Sequence, residues 1–165
     1  MVSEIVNIIK YRIEIREDGK KYIRSEEINL CPICIGKLKV IGIRDRGAIS
    51  SDGYVEIYVI RRLRCVCCNK IHHELPDILI PYKRHCAETI ENIITGENDI
   101  CCDFATEYRI KAWWEAFSLY FEKVKVSLQI KLKMTFPSNL TPREIIRAII
   151  NTNLWVHTRT AMTPI

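Results

Sequence analysis

The chain has 165 residues, 48% of them hydrophobic, enough to build the core of one domain or of two very small ones. Its 25 Lys and Arg against 20 Asp and Glu give a formal net charge of +5, which permits contact with nucleic acid but does not demand it. No run approaches the roughly 20 apolar residues that cross a bilayer. Lys10 and Arg12 interrupt the N-terminal apolar stretch and no small-residue cleavage site follows, so the expectation is a soluble, cytoplasmic protein with no membrane partner.

Residues 1–30 are expected to form N-terminal strands or an arm. Ile13 and Ile15 alternate with charged residues, Asp18-Gly19 is a turn signal, and a second short strand covers Lys21–Arg24. Val2, Ile5, Val6 and Ile9 also recur at helical spacing, which leaves a helix over 2–11 open. Residues 31–80 read as a β module. Lys37–Arg44 and Tyr54–Arg64 are its two strands, separated by a Gly-, Ser- and Asp-rich loop at Asp45–Gly53. Residues 81–165 read as helical. Ala87, Ile90, Ile93 and Ile94 share one face, and Gly96 is a stop. Asn98 or Asp99 can cap a short helix through Phe104, and Thr106 can cap a third carrying Ile110, Trp113, Phe117, Tyr120 and Val124 as one apolar stripe. Val124 to Met134 fits a strand period and a helical face alike, with continuation of the helix the simpler reading. Thr141-Pro142-Arg143-Glu144 is a capping box with Pro at the first helical position, and Asn151–Asn153 ends that helix.

Four of the eight cysteines carry the strongest signal. Cys31-x-x-Cys34 and Cys65-x-x-Cys68 are two knuckles, each able to present two sulfurs to one ion from a tight turn, with 30 residues between them. The expectation is one structural Zn²⁺ held by Cys31, Cys34, Cys65 and Cys68 in a zinc ribbon. Buried free thiols would not explain two paired spacings, and four thiolates leave no open position for catalytic water. Cys67, beside Cys68, is read as a bystander. His72 and His73 are candidate replacement ligands, though the simpler reading has one packed on the ribbon and the other exposed, and Cys86, Cys101 and Cys102 are read as small core residues.

Three helices with short connections suit a helix-turn-helix, with 98–104 as positioning helix and the helix from Thr106 as recognition helix. Tyr108, Arg109 and Lys111 then face a major groove, and Arg62 and Arg64, on one face of a ribbon strand with Arg61 opposite, are available to phosphate. A solvated helix face and a solvated sheet face account for the same charges.

These blocks resemble a bacterial domain family of unknown function, found in proteins often labelled transposase-like, that pairs a zinc ribbon with a helix-turn-helix. The residues that carry the likeness are Cys31-Pro32-Ile33-Cys34, Arg62-Leu63-Arg64-Cys65, Cys68, His72, Leu75-Pro76-Asp77 and Ile80-Pro81-Tyr82-Lys83-Arg84. Ile110-Lys111 with Trp113, and Leu154-Trp155 with Thr158-Arg159, extend it. Where that family has glycine soon after the second cysteine, this chain has Ile35 before Gly36. Where it is more basic around the tryptophan, this chain has Ala112, Trp114 and Glu115. The resemblance implies double-stranded DNA as partner. The combined expectation is an α+β protein, an N-terminal zinc-ribbon β module followed by a helical, helix-turn-helix-like region. It would act without catalysis as a DNA-binding accessory factor of a mobile element or as a transcriptional regulator. The competing expectation is a zinc-stabilised module that forms a homodimer or binds a protein partner. No nucleophile–base pair, phosphate loop or H-E-x-x-H motif is present to suggest an enzyme.

Overall fold

In a computed structural model of the chain, residues 4–97 and 99–155 are described. Alternating apolar and polar residues build six strands before the first helix. They are β1 (Glu4–Ile8), β2 (Tyr11–Ile15), β3 (Lys21–Ser25), β4 (Leu38–Ile49), β5 (Val55–Cys65) and β6 (Ile71–Pro76). β2 and β3 form a hairpin whose turn places Gly19 at φ 74. β4 and β5 form the long hairpin, paired from Leu38↔Cys65 to Ile49↔Val55 with a register shift between Val40 and Gly42. The other edge of β5 is shared. Tyr58 and Val59 pair in parallel with β3, and Arg62–Arg64 pair antiparallel with β6. β1 then adds in parallel to β6. The result is a curled mixed sheet, half a barrel, in the order β1-β6-β5-β3-β2 with β4 branching from β5.

Three helices follow: α1 (Ala87–Thr95), α2 (Phe104–Leu132) and α3 (Pro142–Asn151). Gly96 closes α1 at φ 77, as its position in the sequence implies. The Asp103 side chain, not Thr106, caps α2 by accepting from the Thr106 amide. Val124–Leu132 continues that helix, which ends where Lys133 turns left-handed. Thr141 and Glu144 form the reciprocal capping box of α3. One core lies on the sheet around Val6, Ile8, Ile23, Tyr58, Ile60 and Leu75. A second, around Ile90, Ile93, Phe117, Phe121, Ile149 and Ile150, joins the helices.

β1 is an edge strand, and its free edge is covered by side chains of α3. The Asn7 amide donates to Asn151 Oδ1 at 2.9 Å, and Asn151 Nδ2 donates back to the Asn7 carbonyl at 3.2 Å, as a neighbouring strand would. Arg147 adds a bond to the same carbonyl at 3.3 Å.

The expected fold class is therefore corrected. β4 and β5 do not make a self-contained ribbon, because β5 also bonds β3 and β6. β6, which covers His72, His73 and Glu74, joins the N-terminal strand to the sheet. The helix considered over 2–11 is strand from Glu4, Val2 lying outside the described residues. The loop expected at Asp45–Gly53 is mostly strand, since β4 runs to Ile49. The helix-turn-helix is also absent among the described residues, where no helix lies between Gly96 and Asp103. The cause is tertiary. The Cys101 amide donates to the Ser51 carbonyl in the β4–β5 turn at 3.2 Å, and Cys101 Sγ packs so close to Gly53 that a Cβ there would meet it at 2.8 Å. Asp99 at φ 72 breaks any helical path into that contact. Asn98 and the Thr158-Arg159 pair lie outside the described residues.

Candidate metal centre

The two C-x-x-C turns have one backbone design. The Cys31 amide donates to the Gly36 carbonyl at 2.9 Å, and the Ile35 amide donates back to the Cys31 carbonyl at 2.8 Å. In the second turn the Cys65 amide donates to Lys70 O at 2.9 Å, and the Asn69 amide to Cys65 O at 3.1 Å. The residue after the second cysteine is left-handed in both, Ile35 at φ 61 and Asn69 at φ 60. This correspondence sets Cys34 against Cys68 and matches Cys67 with Ile33. Each turn is fixed at the end of a long strand, next to the Leu38↔Cys65 pair, so the β4–β5 hairpin brings the turns face to face.

The four sulfurs of Cys31, Cys34, Cys65 and Cys68 all lie within 4.8 Å of one another. Cys31 and Cys68 are 3.7 Å apart and Cys34 and Cys65 are 3.4 Å apart. Four thiolates bonded at about 2.3 Å to one tetrahedral ion have their sulfurs about 3.8 Å apart, so the cluster has the dimensions to hold one metal ion. Cys31 and Cys65 are buried, Cys68 half-buried and Cys34 exposed. The amide of Cys68, helped by that of Cys67, draws the Cys65 thiol down to about 6, whereas burial pushes Cys31 up. A cation in the cluster supplies the charge that takes the remaining protons off.

Two residues tighten the cluster that spacing alone does not reveal. Gly36 has no room for a side chain, because a Cβ there would meet Cys67 Sγ at 2.7 Å and Cys65 Sγ at 2.9 Å. His72, fully buried on β6, places Nε2 3.3 Å from Cys31 Sγ. It stands as an outer neighbour that can donate to a thiolate, outside the four-sulfur set. Its sequence signals are its nearness to the second cysteine turn, which makes it a candidate replacement ligand, and its place in the family resemblance.

The remaining expected site residues fall into two places. Arg62 and Arg64 share one face of β5, in register with His73 and Ile71 of β6. Arg61 points to the opposite face and grips Glu74 with two bonds of 2.6 and 2.8 Å. Tyr108, Arg109 and Lys111 are exposed on the first turns of α2. Arg109 folds back along its own helix, bonding Ala105 O and Thr106 Oγ1 at 3.1 Å each, and lines a cleft with Lys83, Arg84 and His85.

Residues 31–113, half of the chain, match a family model described as a domain of unknown function, DUF6431. The chain belongs to that family. The match to DUF6431 opens on the first cysteine of the cluster and closes on Trp113, so it contains both cysteine turns, β4 to β6, α1 and the start of α2. The chain matches no curated protein and no solved structure. No helix among the described residues is long and apolar enough to cross a membrane.

Proposed function

We propose that this protein is a zinc-stabilised DNA-binding protein. Zinc is the ion that four thiolates from two knuckles suit best, and with all four positions filled it is structural. The observation that carries the DNA reading is the basic face of the sheet. Arg44, Arg62 and Arg64 stand on it, and none of them has a carboxylate partner among the described residues. Phosphate neutralisation is what such a face offers a partner. Tyr108, Arg109 and Lys111 on α2 supply a second contact. The resemblance to proteins labelled transposase-like supports the narrower role of a mobile-element accessory factor or transcriptional regulator, with no reaction of its own. Titration of the zinc-loaded chain with duplex DNA at two salt concentrations tests the reading. Affinity should fall steeply with salt, and a chain indifferent to DNA at low salt refutes it.

A second reading rests on α2, about 43 Å long at 1.5 Å per residue. Leu119, Val126 and Ile130 are exposed along one side of it. A homodimer or a protein partner covering that stripe would bind with little dependence on salt, which separates the two readings.

A further inference from the structure

The basic face contains a notch. Its floor is Ile60 and Leu75, and its walls carry Arg44, Arg46, His73 and Tyr82, around a cavity of about 110 Å³. Arg44 is in register with Ile60, and Arg62 with both Gly42 and His73, so Arg62 continues the same wall. No side chain occupies the place beside Arg62 on β4, where a Cβ on Gly42 would meet nothing within 4 Å. Arg46 holds the notch together. Its guanidinium donates to the Lys83 carbonyl at 2.5 Å and the Ile80 carbonyl at 3.4 Å, folding the 80–83 segment over the sheet. That segment places Tyr82 at φ 59, a strained conformation for an aromatic residue, with its ring at the cavity.

Among the described residues, the guanidinium of Arg46 meets only carbonyls and no carboxylate lines the cavity. Burial, then the charges of Arg44, Arg62 and His72, hold His73 below the ordinary histidine value. Burial and the nearby Arg44 likewise depress Arg46. Arg44 and Arg46, two residues apart on one face of β4, thus crowd positive charge at a cost in repulsion that an anion would relieve. The cavity suits a tetrahedral oxyanion, and the guanidiniums around it are two-pronged donors.

From this convergence we infer that the notch between β4, β5, β6 and the 80–83 segment seats one backbone phosphate of a nucleic acid. The inference rests on the DNA reading above and makes it specific. The Ile80-Pro81-Tyr82-Lys83 block is then the wall of the anchor, and residues 81–85 connect it to the Arg109 cleft on their other side, which Lys83, Arg84 and His85 line.

The test compares the zinc-loaded wild type with the Arg44→Gln/Arg62→Gln double variant and with Gly42→Glu. The last retains every arginine but puts a carboxylate in the open place beside Arg62. Each is titrated with a labelled duplex over a range of salt, with circular dichroism and zinc content measured alongside. Both variants should bind all sequences more weakly, with the slope of log affinity on log salt shallower by about one. Inorganic phosphate, titrated into the same proteins, should shift the amide resonances around Gly42 and His73 in the wild type alone. If the wild type binds duplex and both folded variants retain its salt slope, the notch is not the anchor and the DNA reading survives without it. If the wild type ignores duplex but shows the phosphate shifts, the nucleic-acid assignment falls and the notch is a site for a free phosphate compound. A wild type that responds to neither overturns both.

Discussion

Ile35 and Asn69 occupy the same place in the two cysteine turns, one residue beyond the second sulfur, and share a left-handed backbone at φ 61 and φ 60. Asparagine tolerates that region, but a β-branched residue is strained there. Ile35 is 73% exposed, so little packing offsets the strain. Ile35→Gly should therefore stabilise the metal-loaded chain, by about 1 kcal/mol, whereas Asn69→Gly should change little. Denaturant melts of the two variants check the difference.

The purified chain should carry about one zinc ion. Cys34→Ser and Cys65→Ser should lose it and unfold the two cysteine turns, since metal and folding energy are linked at such sites. Gly36→Ala should do the same by pushing a methyl into the sulfurs. Cys67→Ser should retain both metal and fold. Elemental analysis with circular dichroism decides, and zinc loss in Cys67→Ser but not in Cys68→Ser would reverse the ligand assignment.

Adjacent arginines on β5 should behave in opposite ways. Arg61 neutralises Glu74, a carboxylate only 2% exposed. Arg61→Ala strands that carboxylate and should cost about 3 kcal/mol. Arg62→Ala should leave stability within about 0.5 kcal/mol. Chemical denaturation of both variants measures the contrast.

In the helical core the centre is Phe117, almost fully buried, with Trp113 stacked on it at 5.2 Å and half-buried beneath Lys83. Phe117→Ala should cost about 3–5 kcal/mol. Trp113→Ala should cost less, because part of its ring already meets solvent. Equal losses in urea titrations would show that Trp113 seals the core as completely as Phe117 fills it.

Glu144 accepts from the Thr141 amide and hydroxyl in the α3 capping box, the amide first in effect, and these bonds hold its carboxyl below the ordinary 4.5. A depressed carboxyl stabilises the fold fully above that ordinary value, and the contribution is lost as pH falls through the lower native one. The gap in melting temperature between wild type and Glu144→Gln should thus be open near neutrality and narrow at acid pH. A constant gap across that range would remove the charge from the explanation.

The metal cluster was legible in the sequence because its information is local, two paired spacings and the strands that carry them. The α3 capping box and the Gly96 stop were legible for the same reason. What the residues did not disclose is long-range. Ile71–Pro76 hides a strand because its polar side chains are buried by distant partners, His72 by Cys31 and Glu74 by Arg61. The ribbon reading failed because β5 has further neighbours in β3 and β6. The helix-turn-helix reading failed because Cys101 is held by a turn 50 residues earlier in the chain. Thr106 looked like a cap because threonine is a capping residue type, but Asp103 three residues earlier takes that place and accepts from the Thr106 amide.

The cover that Asn151 gives Asn7 has a consequence for the order in which the chain can fold. β1 precedes both of its partners in the chain: Leu75 on its hydrogen-bonded neighbour is 68 residues further on, and the side-chain amide that closes its other edge is 144 residues further on. The cysteine turns and the β4–β5 hairpin can assemble on local contacts much earlier. A nascent chain therefore carries an open strand edge of unpaired backbone groups until α3 emerges to seal it.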